Sequence, residues 1–143
     1  MDAVWPVISN VEAIAVNQAW AGHSGSPFKT SSDKVHLSST NWAAVEKDMT
    51  LDEVADLGPT VAGSFEYLYK PMLAGGKKTA VLLMNNAAAA TDLEVSFADI
   101  PGVTCTTCHV RDVWARKDLG TFTGSYTGKA IGSHDSAFLV ITP

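Results

Sequence analysis

From residue 4 to residue 15 the apolar positions follow a helical period. Val4, Val7, Ile8, Val11, Ile14 and Ala15 recur at i, i+3, i+4 and i+7, one stripe on a 3.6-residue repeat. Pro6 fits only in the first turn, where its missing N–H has no partner to lose. Ser9 and Glu12 form an S-x-x-E capping box, which predicts a break and a restart at Ser9. Gly22 and Gly25, with Ser24, Ser26 and Pro27, close the segment. A helix so apolar on one side needs a surface to lie against, and its natural partner is expected to lie outside this chain.

Residues 29–48 are polar apart from a strand-like patch at Val35-His36-Leu37. Thr50 and Glu53 make a second capping box, with Leu51, Val54 and Leu57 on one face and a stop at Gly58-Pro59, so a short surface helix is expected there. From Phe65 onward the period drops to two. Phe65, Tyr67 and Tyr69 share one side of a strand that Pro71 is expected to end, and Leu93, Val95 and Phe97 alternate with Asp92, Glu94 and Ser96. Further strands are predicted at Ala80–Asn85, Val110–Ala115, Thr121–Lys129 and Ala137–Ile141. Turn signals at Gly75-Gly76, Asp99–Gly102, Lys117–Gly120 and Gly132-Ser133 separate them. The Ala87–Ala90 run reads as a turn between strands. Short punctuated strands without long helices argue for an all-β, antiparallel sandwich or barrel.

At 143 residues the chain suits one domain, and its 46% apolar content is ordinary for a globular fold. A formal charge of −5, with no basic cluster denser than Gly75-Gly76-Lys77-Lys78, makes nucleic acid or an anionic membrane poor partners. No apolar run approaches the ~20 residues of a membrane span. The start, with Asp2 and no basic region, does not read as a signal peptide.

Three blocks, in order, carry a family pattern. The first is Ile8–Gln18, ending in Asn17-Gln18 with Gly22 soon after. The second is Lys70-Pro71-Met72-Leu73-Ala74-Gly75-Gly76, leading into Thr79–Asn86. The third runs from Arg111-Asp112-Val113-Trp114 through Gly120 and Phe122-Thr123-Gly124 to Ser133-His134-Asp135. Together they resemble the α-galactosidases, or melibiases, of glycoside hydrolase family 27. The resemblance covers the end of that family's catalytic barrel and its closing β domain. Ala19-Trp20-Ala21 stands where many members carry Asp-Pro-Leu, and the stretch between Lys29 and Gly63 is longer and more acidic than usual.

The resemblance implies an organisation in three parts. Residues 1–28 would be the helical end of a β/α barrel, residues 29–63 a linker or insertion, and residues 64–143 a Greek-key-like antiparallel β-sandwich. It implies a parent enzyme that removes terminal α-linked galactose with retention, through two carboxylates roughly 5–5.5 Å apart at the ends of barrel strands. Neither carboxylate motif is present, so this piece is expected to have no catalytic residue, no activity of its own and no cofactor or metal. Its expected partner is the enzyme's own barrel, with an α-galactoside as the parent's substrate and a homo-oligomer as a further option. The same resemblance implies a secreted, extracellular or vacuolar/lysosomal protein. The alternative reading is a stand-alone carbohydrate-binding sandwich, with Tyr67, Tyr69 and Trp114 as stacking rings. Against it, aromatics on strands usually fill cores and cross-strand pairs.

Other clusters have plainer readings. Asp112 and Asp118 flank Trp114 in the manner of a sugar site, but Asp118 is read as a turn residue bonding its own backbone, and Asp112 as a strand residue with Arg111 and Arg116 nearby. His134 and Asp135 are adjacent, so on a strand they would point to opposite faces. Cys105-Thr106-Thr107-Cys108-His109 matches haem attachment in form, yet a strand follows where haem-packing helices would be needed. Zinc would lack a second ligand pair. For a secreted hydrolase a disulfide is the plain reading, with free buried thiols as the remaining option. Three residues of straight strand would hold the Cα atoms ~10 Å apart, so a bridge requires a turn at Thr106-Thr107.

Overall fold

The computed structural model describes residues 5–36 and 61–143. The Thr50–Glu53 capping box, its helix, Leu37 and Val4 lie outside the described residues. Two short helices open the chain, α1 (Trp5–Ile8) and α2 (Val11–Gln18). Strands follow: β1 (Ser26–Thr30), β2 (Lys34–His36), β3 (Val61–Gly63), β4 (Phe65–Leu73), β5 (Lys78–Asn85) and β6 (Thr91–Ser96). The last four are β7 (Thr107–Asp112), β8 (Lys117–Thr123), β9 (Ser125–Ile131) and β10 (Ser136–Thr142).

A six-stranded sheet runs β1-β4-β5-β10-β7-β8, with β6-β9 and β2-β3 as separate pairs, all antiparallel. The chain thus folds as an antiparallel β-sandwich. Its final strand inserts between β5 and β7, and β1 straddles residue 28 to become an edge strand of the large sheet.

Strand pleating explains both faces of that sheet. On β5, Val81 and Leu83 point inward and are fully buried, while Ala80 points the other way. The inner core joins Tyr67, Val110, Leu139 and Ile141 to Leu93 and Val95 of β6 and Ile131 of β9. The β6–β7 connection seals it with Phe97, Ile100 and Val103. The outer face carries a second, smaller cluster of Ala80, Val113 and Val140, on which Val16 of α2 rests.

Four local expectations change. Pro71 does not end β4, which continues to Leu73; β1 pairs only as far as Tyr69, so the missing N–H of Pro71 falls beyond the neighbouring strand. The β7–β8 turn is Val113–Arg116 rather than Lys117–Gly120, because Asp112 Oδ1 accepts from the Ala115 N–H (2.9 Å) and closes the chain early. Thr121–Lys129 is two strands rather than one. Gly124, at φ 80°, turns the chain from the large sheet into the β6-β9 pair. The restart near Ser9 is capped by Asn10 instead, as described below.

The Ala87–Ala90 turn is organised by Asn85, 1% exposed. Its side-chain nitrogen lies within 3.0 Å of the carbonyls of Ala89, Ile131 and Gly132, and its oxygen accepts from Ala87 N–H. Two of these bonds engage the Ala87 N–H and the Ala89 carbonyl and so hold the run as a turn.

Candidate functional site: the seam between helix and sheet

Side chains that tie together segments far apart in sequence gather where α2 meets the outer face. Ser9 and Asn10 are both competent N-caps. Ser9 Oγ donates back to the Trp5 carbonyl (2.6 Å), and Asn10 Oδ1 accepts from Glu12 and Ala13 N–H at 3.0 and 3.3 Å. Asn10 is chosen because its other side-chain atom has work elsewhere. Nδ2 donates to the Val113 carbonyl at 2.8 Å, and the residue is 2% exposed.

One helical turn on, Glu12 meets Arg111 of β7 in a two-pronged pair. Nε donates to Oε2 at 2.8 Å and Nη2 to Oε1 at 2.7 Å. Arg111 also donates to the Arg116 carbonyl (2.9 Å) and pairs with Asp118 Oδ2 at 3.2 Å. Such forked, charge-assisted bonds are stronger and more directional than single ones. The hydrogen bonds that Arg111 donates hold the Glu12 carboxyl below its ordinary range, and Glu12 and Asp118, by accepting them, raise the guanidinium in turn. At the far end of α2, Lys70 Nζ donates to the Asn17 carbonyl (2.8 Å), a cation where the helix leaves carbonyls unsatisfied.

The rest of the helical segment faces outward. Trp5, Val7, Ile8 and Val11 are 51–65% exposed, Ile14 is 41% and Trp20 is 70%. The apolar stripe therefore lies on the side away from the sheet, and α2 touches the sandwich through Asn10, Glu12, Ala13 and Val16.

Of the sequence-predicted residues, Asn17, Lys70 and Arg111 come together at this seam. Gln18 ends α2, exposed, and Gly22 turns the chain beyond it at φ 83°. Pro71 lies one residue from Lys70 in β4, and Gly120 bends β8 at φ 100°. Asp112 and Asp118 exchange their expected roles, the first closing a turn and the second pairing with Arg111 and lying 3.8 Å from His109 Nε2. Trp114 is 39% exposed, edge-on to Phe138, with Nε1 donating to Ser136 Oγ.

Tyr67 is corrected as a stacking ring: it is 2% exposed, packed in the core between Phe28 and Phe65. Burial, with the nearby Glu94 charge, pushes its hydroxyl up to about 12. Tyr69 is half-buried and stacked on His23. His134 sits in a turn bonded to Ser133 Oγ, while Asp135 Oδ1 accepts from Ser136 N–H, so no His–Asp dyad forms. Cys105 and Cys108 are joined in a disulfide with Cα atoms 5.6 Å apart, reached through a bend at Thr106. Asn10 and Glu12 as docking groups escaped the sequence reading. The signal available was a second cap-competent residue beside Ser9 and an unpaired glutamate in a first helical turn.

Comparison with known proteins agrees with this architecture. The α-galactosidase I of Mortierella vinacea superposes with a TM-score of 0.68 at 18% identity, over 99% of this chain and 28% of that one. The Saccharomyces cerevisiae α-galactosidase solved with raffinose gives 0.60 at 12% identity, over 97% and 37%. An Arthrobacter globiformis T6 isomalto-dextranase solved with panose gives 0.57 at 20%, over 96% and 18%. The chain thus spans little more than a third of these proteins at most. A search of curated protein sequences finds no match. The family profile of the α-galactosidase C-terminal β-sandwich domain matches residues 62–141, more than half of the chain, from the end of the β2-β3 pair through β10. The chain therefore belongs to the α-galactosidase C-terminal β-sandwich domain family.

Proposed function

We propose that this chain is the non-catalytic closing domain of an α-galactosidase-like enzyme, carrying the last helical piece of its barrel, and that it packs on and stabilises that barrel. The observation that carries the reading is the two-sided helical segment. One side is bolted to the sheet through Asn10, Glu12 and Val16, and the other presents Trp5, Val7, Ile8, Val11 and Ile14 to the outside. A contiguous apolar surface of this kind fits a second structural layer. The parent's proposed reaction is removal of terminal α-linked galactose with retention.

The carboxylates support a scaffold role. Glu12 and Asp118 face Arg111, Asp92 faces Lys129 and Asp99 faces Lys29. Asp112 and Asp135 accept main-chain N–H groups. These engagements do not resemble a nucleophile and acid/base pair held ready for a glycosidic bond. The disulfide suits an oxidising compartment, so we place the parent among secreted or vacuolar enzymes.

Incubation of the chain with a chromogenic α-galactoside tests the reading. No turnover is expected. Turnover abolished by substituting any one of these carboxylates would overturn the assignment. The reading frame upstream of residue 1 is a second check, expected to encode alternating strand and helix patterns with a Lys-Tyr-Asp strand end.

A further inference from the structure

We propose that the Glu12–Arg111 pair is an acid-releasable latch: protonating Glu12 frees α2 from the outer face of the sheet while the sandwich beneath stays folded. The inference needs only this chain, and stands whether or not a barrel precedes it.

The geometry separates the latch from the rest of the fold. Of the contacts described above, the Glu12 pair is the one tie between α2 and the sheet that involves a carboxylate. It lies at the surface end of the seam, with side-chain exposures of 27% for Glu12 and 33% for Arg111. The inner core, with Val81, Leu83, Leu139 and Ile141, lies on the opposite face of the sheet and does not include α2. The cluster under α2 is small, built on Ala80, Val113, Val140 and Val16. Its modest apolar area makes detachment far less costly than global unfolding, the condition for a locally opening unit. The other ties, Asn10 to Val113 and Lys70 to Asn17, contain no carboxylate.

The sign follows from the groups facing Glu12. Arg111 donates both hydrogen bonds, Arg116 adds positive charge from the turn, and Asp118 opposes them from β8. Lys78 of β5 and His109 of β7 line the same shallow basin. Positive charge on that side of the basin favours ionised Glu12 and so works with the latch rather than against it. Glu12 is held below its ordinary value of 4.5, chiefly by the Arg111 hydrogen bonds. A depressed carboxyl contributes stability above its unfolded value and loses it as pH falls through the folded one. Release therefore belongs below pH 4.5. A protonated Glu12 keeps an acceptor but loses the charge that makes the fork strong.

Amide hydrogen exchange of the 143-residue chain, read by NMR as protection factors, tests this. At pH 7 Glu12→Gln should lower protection of the Ile14–Ala19 amides by at least about tenfold, with β5 and β10 unchanged. Wild-type protection of the same amides should fall from pH 7 to 3.5. In Glu12→Gln that pH dependence should vanish. The exchanged pair Glu12→Arg with Arg111→Glu should restore protection at pH 7. Three results would each overturn the proposal: pH-independent protection of α2 in the wild type, a wild-type pH profile retained by Glu12→Gln, or loss of β5 and β10 protection in parallel with α2.

Discussion

Asn10 is the residue whose removal tests the seam most sharply, because one buried side chain serves both elements. Asn10→Ala strips the cap from the Glu12 and Ala13 amides, a loss of about 1 kcal/mol. It also strips the donor from the Val113 carbonyl, roughly 1–3 kcal/mol for a buried group left unpaired. Together these come to about 2–4 kcal/mol. Asn10→Ser separates the two terms, since a hydroxyl still caps but is too short to reach the Val113 carbonyl as well, which lies 2.8 Å from Nδ2 in the wild type. Its loss should be only the second, roughly 1–3 kcal/mol. Asn10→Asp keeps the cap and sets a carboxylate oxygen against the Val113 carbonyl. Urea unfolding followed by circular dichroism, with α2 amide exchange in parallel, registers global unfolding and local detachment separately. If the loss is global, slopes of roughly 1–3 kcal/mol per molar place the Asn10→Ala midpoint about 0.7–4 M below wild type. If it is local, α2 protection falls by the equivalent factor. An Asn10→Ala variant unchanged in both measurements, or an Asn10→Ser variant equal to wild type in both, would refute the reasoning.

Other perturbations probe the remaining layers. Leu83→Ala, at a fully buried site in the inner core, should cost about 2–5 kcal/mol in urea unfolding. Gly63→Ala puts a Cβ 2.7 Å from Ser31 Oγ and 3.0 Å from its carbonyl, so a loss of about 1–3 kcal/mol is expected in thermal unfolding. The Cys105–Cys108 bridge closes so short a loop that reducing it should cost only ~2 kcal/mol, measured by unfolding with and without dithiothreitol. The exposed stripe should make the isolated chain associate as concentration rises, and Val11→Asp with Ile14→Asp should abolish that in sedimentation.

Much of the sandwich was legible because pleating is a local property. The alternation at Leu93, Val95 and Phe97 predicted their burial, since side chains two apart share a face whatever the partner strand. β5 and β10 were placed to within two residues for the same reason. Boundaries were missed where a local rule competed with a contact elsewhere. Pro71 was tolerated because of where β1 stops. The β7–β8 turn moved because Asp112, rather than Asp118, bonds the backbone. The seam was half visible. Arg111, Lys70 and Asn17 belong to the family blocks, but nothing in their spacing says that they face one helix.

A run of ten residues carries its own period, its turn chemistry and its capping options. Those settled that this chain is an antiparallel β protein opened by a helical segment, and the three blocks settled which family it resembles. Partner choice is different in kind, since it depends on groups far apart along the chain and energetically equivalent until the fold brings them together. Ser9 and Asn10 are equal caps locally; the Val113 carbonyl, 103 residues away, selects Asn10. Glu12 is an ordinary first-turn acid until β10 inserts between β5 and β7 and holds Arg111 beneath it, 99 residues on. Which face of α2 is buried was likewise decided by the sheet, whose buried acceptor and forked cation outweighed the apolar stripe in setting how the helix lies.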